Sequence, residues 1–193
     1  MTRREAIEKR LDSYWKLELG NVILVPVTMV YVAHALGSPI GWLSGMCIVP
    51  MAGLLAIGGL YWRGKLKAIQ FDKSELDRAL LFAHVLQGPL IILTSLALLA
   101  MTIGWILPGY SVGLGDRIVA TIAAVLALLE YINYYHRQVQ HFDHPSDWQR
   151  LIAGDGFRPS QMSVDLRQWR RLRSASTRFK DRAHVPDQAR QRS

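Results

Sequence analysis

Residues 128–145 read LLEYINYYHRQVQHFDHP and mark the point where an apolar stretch becomes polar. The twelve residues before Glu130, from Ile118 onward, contain no charged side chain. A helix needs about 20 mostly apolar residues to cross the hydrocarbon core of a membrane. We therefore interpret this segment as the end of a transmembrane helix, in which Glu130 and Asn133 lie before the chain has left the lipid.

Three further segments are long and apolar enough to cross a membrane. Backbone polar groups in lipid must be satisfied within the segment, so each run predicts a helix. The fold class predicted is an all-α integral membrane protein with a four-helix transmembrane bundle over residues 17–135. The four spans are expected at about 17–36, 40–62, 80–107 and 118–135.

The basic residues predict the orientation of the bundle. Five Lys or Arg residues precede the first span, five lie between the second and third, and twelve follow the fourth. The link between the first two spans contains none, and the link between the last two contains only Arg117. Loops rich in Lys and Arg remain on the cytoplasmic side of a membrane. We therefore expect an inner-membrane protein with both ends of the chain in the cytoplasm.

The two ends of the chain are expected to be amphipathic and cytoplasmic. In residues 1–16, apolar side chains recur every four positions among basic ones, which predicts a helix lying on the membrane surface. Residues 136–180 form a basic region with a second helical pattern. Residues 181–193 are polar, which is typical of a disordered tail. The apolar positions of the second pattern are Met162, Leu166, Trp169 and Leu172.

This distribution of charge predicts the partners of the chain. A basic residue close to an anionic leaflet contributes about 1 kcal/mol of attraction. We therefore expect the basic ends to contact membrane lipids, in particular anionic headgroups of the inner leaflet, and not nucleic acid. A membrane-protein partner or a second copy of the chain is the alternative.

Polar side chains at similar depth in three spans form the candidate site. Such residues inside a membrane usually face the interior of the bundle and are partnered. We expect Glu130 to contact His84 or Gln87, with Arg137 as the next candidate. The cluster is either a hydrogen-bond network that fixes helix register, a ligand or lipid-headgroup site, a metal site, or a proton relay. Its members are Glu18, Asn21, His84, Gln87, Glu130, Asn133 and Arg137.

His141 and His144 are the metal-ligand candidates of the sequence. Their spacing suits two ligands of one ion, but the repeated histidine motifs of membrane di-metal enzymes are missing. We therefore expect no metal and no other cofactor.

Small residues recur along the second span. They would allow a neighbouring helix to approach closely, as small residues commonly do in membranes. These residues are Gly41, Gly45, Ala52, Ala56 and Gly59.

The run EYINYYHRQ at residues 130–138, continuing through HPSDWQRLI to SQMSVDL, resembles the C-terminal part of small bacterial inner-membrane proteins to which no activity is assigned. The resemblance covers about a quarter of the chain. It implies a bacterial membrane setting and no particular reaction.

Motifs of known catalytic chemistry are missing from the sequence. No glycine-rich phosphate loop follows a strand, and Ser95 lies within a span, not on a turn that exposes a nucleophile. The sequence therefore favours a non-enzymatic accessory or assembly protein whose basic surface docks on the inner leaflet or on a protein partner. The alternatives are a lipid-binding or lipid-modifying enzyme that uses the Glu/His cluster, and an oligomeric proton-coupled transporter that uses Glu130.

Overall fold

The computed structural model describes residues 2–138 and 157–190, with side chains as far as residue 175 in the second range. The described chain is helical apart from its links. Among the described residues, four helices are long and apolar enough to cross a membrane, which is the number of apolar helices that the sequence predicted. The helices are α1 (Arg3–Ala35), α2 (Trp42–Ile69), α3 (Ser74–Ile106), α4 (Leu114–Tyr135) and α5 (Gln161–Arg190), with a short 3₁₀ turn at Pro108–Tyr110.

The first four helices run in alternating directions, so the start of α1, the end of α2, the start of α3 and the end of α4 meet. We call this the basic end of the bundle. The guanidinium of Arg4 donates to the Ile69 carbonyl at 2.9 Å, and Arg63 lies 4.0 Å from Glu75 across the α2–α3 turn. At the opposite end, the Gly115 amide donates to the Ser38 hydroxyl at 3.2 Å.

Helices α2 and α4 form the interior of the bundle. In the most apolar 18-residue window of each, 56% of the residues are buried, against 17% in α1 and 22% in α3. α4 presents alanines such as Ala120, Ala123 and Ala127 to its neighbours, which allows close packing. α1 and α3 expose aliphatic side chains, among them Leu24 and Ile92, as a membrane would require.

Helix α1 is one continuous element of 33 residues, so the predicted surface helix at residues 1–16 and the first span are not separate. Its start is capped by Thr2 and Glu5, which exchange hydrogen bonds in a capping box. The apolar residues of its first turns therefore continue the direction of the span. Leu11 is buried, and Ile7 is exposed.

The turn between α2 and α3 is closed by Asp72. Its carboxylate accepts hydrogen bonds from the Ser74 amide at 3.0 Å and the Ser74 hydroxyl at 2.7 Å. The hydroxyl and then the amide hold the pKa of Asp72 below its usual value. Asp72 therefore supplies the carboxylate at the N-terminus of α3 that a helix start favours.

Glycines of α2 do allow close approach, but only some of the predicted positions are involved. A Cβ at Gly59 would meet Leu19 of α1 at 2.7 Å, and one at Gly41 would meet the Asp116 carboxylate. A Cβ at Gly45 would meet nothing within 4 Å. Gly64, which the predicted stripe did not include, faces the backbone of α3 at Leu76.

Helix α5 lies against the basic end of α3 and α4. Met162 and Leu166 are buried there, and the Ser160 hydroxyl donates to the Tyr134 carbonyl at 2.5 Å. The strand-like pairing of residues 136–138 with residues 158–160 brings the chain back to this position. α5 continues to Arg190, so most of the predicted disordered tail, residues 181–190, is helical here. Residues 139–156 of the predicted basic region lie outside the described residues.

Candidate functional site

Glu18 of α1 and Glu130 of α4 are buried close together near the basic end of the bundle. Glu18 is 7% exposed and Glu130 is 5% exposed. The two carboxylates interact electrostatically with each other and with the hydroxyl of Tyr134. Glu130 thus faces the interior of the bundle, as the sequence analysis expected, but its acidic neighbour belongs to α1.

His84 and Gln87 belong to a different contact from the one predicted. The His84 ring packs edge-on against Trp169 of α5, with ring centroids 5.7 Å apart, and the Arg170 guanidinium donates to the Gln87 side-chain carbonyl. His84 is exposed apart from this contact. The expected pairing with Glu130 is therefore wrong, because this face of α3 receives α5 whereas Glu130 faces α1.

The other predicted residues occupy three different environments. Asn133 is 6% exposed and lines a cleft, whereas Asn21 is half-buried on α1. Arg137 has an exposed side chain, and its backbone pairs with Pro159. His141 and His144 lie outside the described residues. Within residues 2–138 and 157–190, no three His, Cys, Asp or Glu side chains are grouped to hold a metal ion.

The cleft opens at the basic end, between α1, α2, α4 and the start of α5. It has a volume of about 310 Å³. Tyr134 stands between this space and the two buried carboxylates, because it both lines the cleft and interacts with Glu18 and Glu130. The residues that give the cleft its chemistry are Arg10, Tyr14, Trp62, Lys65, Asn133 and Met162.

Two cations border the cleft. The guanidinium of Arg10 donates to the Tyr14 hydroxyl at 2.6 Å. The ammonium of Lys65 lies 2.7 Å from the carboxylate of Asp165, which also accepts a hydrogen bond from Tyr61 at 2.7 Å. Since a lysine ammonium has three donors, this ion pair leaves Lys65 further hydrogen-bonding capacity.

One polar atom at the cleft stands out. The indole Nε1 of Trp62 is buried and has no hydrogen-bond partner among the described residues. Its ring packs edge-on against Tyr14 and Tyr61, with centroids 5.5 Å and 5.1 Å away. A buried N–H group without a partner is costly.

The opposite end of the bundle holds a carboxylate that sequence reasoning did not single out. Asp116 is fully buried and accepts hydrogen bonds from the amides of Gly41, Ser44 and Val112 at 3.0–3.2 Å. The Ser44 hydroxyl also donates to it at 2.5 Å. The N-cap of α2 is Gly41, which has no side chain, so Asp116 caps α2 from another helix. Its role is structural.

The proximity of the buried Glu18 and Glu130 carboxylates leads to a prediction about stability. Because two buried carboxylates at short range repel each other, Glu130→Gln should leave thermal stability unchanged or increase it. Glu18→Gln should do the same, and the double variant should gain less than the sum of the two, since either change removes the same repulsion. A double-mutant cycle of unfolding free energies measures this coupling.

Glu130→Ala provides the control for packing, because it removes side-chain volume together with charge. It should cost about 2 kcal/mol of unfolding free energy, as buried large-to-small replacements do. A cycle in which Glu18→Gln and Glu130→Gln each destabilise strongly and add independently would contradict a repulsive pair.

The sequence contained a signal for part of this site. Tyr14, Tyr61 and Trp62 occur where basic segments meet apolar ones, as interfacial aromatic residues do. The convergence of Arg10 and Lys65 carried no signal, since 55 positions separate them. No protein-family profile, curated protein sequence or solved structure matches this chain.

Proposed function

We propose that this chain is a non-enzymatic accessory protein of a bacterial inner membrane, whose basic end faces the cytoplasm and docks on anionic headgroups of the inner leaflet. The observation that carries the proposal is the position of α5. This helix is fixed against the basic end of the transmembrane bundle and leaves several arginines exposed.

The contacts of α5 with α3 hold one face of the helix in a defined orientation. Trp169 packs on His84, Arg170 bonds Gln87, and Leu166 is buried. The side chains on the remaining face are exposed. They include Arg167, Arg171, Val164 and Leu172, of which Leu172 is 66% exposed.

Exposed arginines beside exposed aliphatic residues suit the boundary between headgroups and acyl chains. An amphipathic helix in this position inserts its apolar side chains shallowly, while its cations contact lipid phosphates. Arg167 and Arg171 together would contribute about 2 kcal/mol of attraction to an anionic surface. This attraction weakens as salt is added, because the Debye length falls.

Hydrogen exchange in lipid nanodiscs tests the proposal. The full chain is placed in discs of phosphatidylcholine alone or with phosphatidylglycerol, and amide exchange is measured over residues 161–175. We expect slower exchange in the anionic discs, by roughly tenfold or more, and loss of that protection at high salt.

The variant Arg167→Gln/Arg171→Gln should lose the protection that anionic lipid confers. The matched control Arg167→Lys/Arg171→Lys keeps both charges and should retain most of it. Equal exchange in neutral and anionic discs, or equal protection in the Gln and Lys variants, would refute docking on anionic lipid and favour a protein partner for this surface.

A further inference from the structure

The depth of the cleft bears on which molecules reach it. Its walls come from residues at the ends of the apolar segments and just outside them: Arg10 and Tyr14 precede the first, and Lys65 and Gln138 follow the second and fourth. Since the apolar segments occupy the hydrocarbon, the cleft lies level with lipid headgroups. The phosphates of the adjacent leaflet are therefore the most concentrated candidate ligands at this height.

The polar walls of the cleft favour an acceptor that carries negative charge. Arg10 and Lys65 supply cations. Gln161 and Met162, the first residues of α5, line the cleft as well, so a helix N-terminus adds partial positive charge. A phosphate oxygen matches all of these groups.

The remaining walls are apolar and aromatic. Ile7, Leu11 and Met162 offer aliphatic surface, and Tyr14 and Tyr61 add rings with polar edges. A site for free phosphate would not need such walls. The volume of about 310 Å³ is at the lower end of the range for small-molecule sites, and it suits a headgroup with the first carbons of its chains.

We infer that the cleft between α1, α2, α4 and α5 binds the phosphate-bearing headgroup of a single membrane phospholipid. Arg10 and Lys65 contact the phosphate, and the aliphatic wall receives the glycerol end. This inference refines the proposed function by adding a lipid site in a cleft to the exposed docking surface. The docking surface and the cleft use different residues, so an experiment can refute one proposal without refuting the other.

Native mass spectrometry of the detergent-purified, delipidated full chain tests the inference. Phosphatidylglycerol is titrated against the protein, with diacylglycerol as a lipid that lacks phosphate and inorganic phosphate as a competitor that lacks chains. We expect one phosphatidylglycerol per chain at low concentration, no comparable diacylglycerol adduct, and no displacement by inorganic phosphate at equal concentration.

Substitutions connect that adduct to the cleft. Arg10→Gln should raise the dissociation constant about tenfold, and Lys65→Gln, which removes the second cation that lines the cleft, should raise it several-fold. The matched control Arg63→Gln removes an exposed cation from the same end of α2 and should bind like the wild type. Circular dichroism and thermal melting are recorded for each variant, so that only folded proteins are compared.

Three results would overturn the site. If diacylglycerol binds as tightly as phosphatidylglycerol, the phosphate does not contribute to binding. If equimolar inorganic phosphate displaces the lipid, the acyl chains do not contribute. If the Arg10→Gln and Lys65→Gln variants both fold and bind like the wild type, the lipid binds elsewhere. Because Arg167→Gln/Arg171→Gln should leave this adduct intact, loss of surface docking and loss of the cleft are distinguishable.

Discussion

Asp116→Ala is expected to lower the free energy of unfolding by about 4 kcal/mol, the largest effect of any single substitution considered for this chain. The carboxylate is fully buried and receives four hydrogen bonds, two of them from Ser44. Hydrogen bonds to a charged acceptor contribute about 1.5–3 kcal/mol each, and donors left without a partner in a buried site add a further cost. The amides of Gly41 and Val112 border links and can reach water, which limits the total.

The position of Asp116 also explains why no nearby residue can replace it. Asp116 belongs to α4, but its carboxylate lies at the N-terminus of α2, whose own cap residue is Gly41. A negative charge there interacts favourably with the helix dipole. Removing it therefore loosens the link between α1 and α2 as well as the contact between α2 and α4.

Chemical or thermal unfolding in detergent measures the effect. Asp116→Asn retains one carbonyl oxygen as an acceptor and should be milder than Asp116→Ala, and Ser44→Ala should cost about 1–2 kcal/mol. Asp12→Ala is the control, since Asp12 forms only local contacts with Trp15 and Lys16 on α1. Stability within 1 kcal/mol of the wild type in Asp116→Ala would contradict the capping role.

Gly64→Ala is expected to destabilise the bundle by about 2–3 kcal/mol through overpacking. A Cβ at this position would lie 2.9 Å from the Cα of Leu76 and 3.2 Å from the carbonyl oxygen of Glu75. Both contacts are with backbone atoms of α3, so no side-chain rotation relieves them. Helices α2 and α3 must move apart at the basic end, where α5 also packs.

Gly45→Ala is a matched control within the same helix. A Cβ there meets nothing within 4 Å, so the substitution gains only the higher helix propensity of alanine, about 1 kcal/mol in a soluble helix. The two variants share their chemistry and differ in their neighbours. If Gly64→Ala unfolds at the same denaturant concentration as Gly45→Ala, the close approach of α2 and α3 does not contribute to stability.

The amino-acid sequence by itself determined the class of this protein. Four apolar runs, each long enough to cross the hydrocarbon, predicted four helices, and all four are present. The burial of Glu130 and Asn133 was also predictable, because a carboxylate in a span must avoid lipid. These inferences need only properties of one segment at a time. The cytoplasmic orientation of the basic end is also predicted from one segment at a time, and it stays a prediction.

Only the tertiary structure decided which polar residues meet. Glu18, not His84, lies next to Glu130, and His84 contacts Trp169, a residue 85 positions away. Asp116 looked like a loop residue but caps α2. The physical reason is that hydropathy sums along one helix, whereas a contact depends on the rotation and offset of two helices. The rotation and offset are set by the packing of every side chain between the helices, and by close backbone approaches such as the one that Gly64 permits.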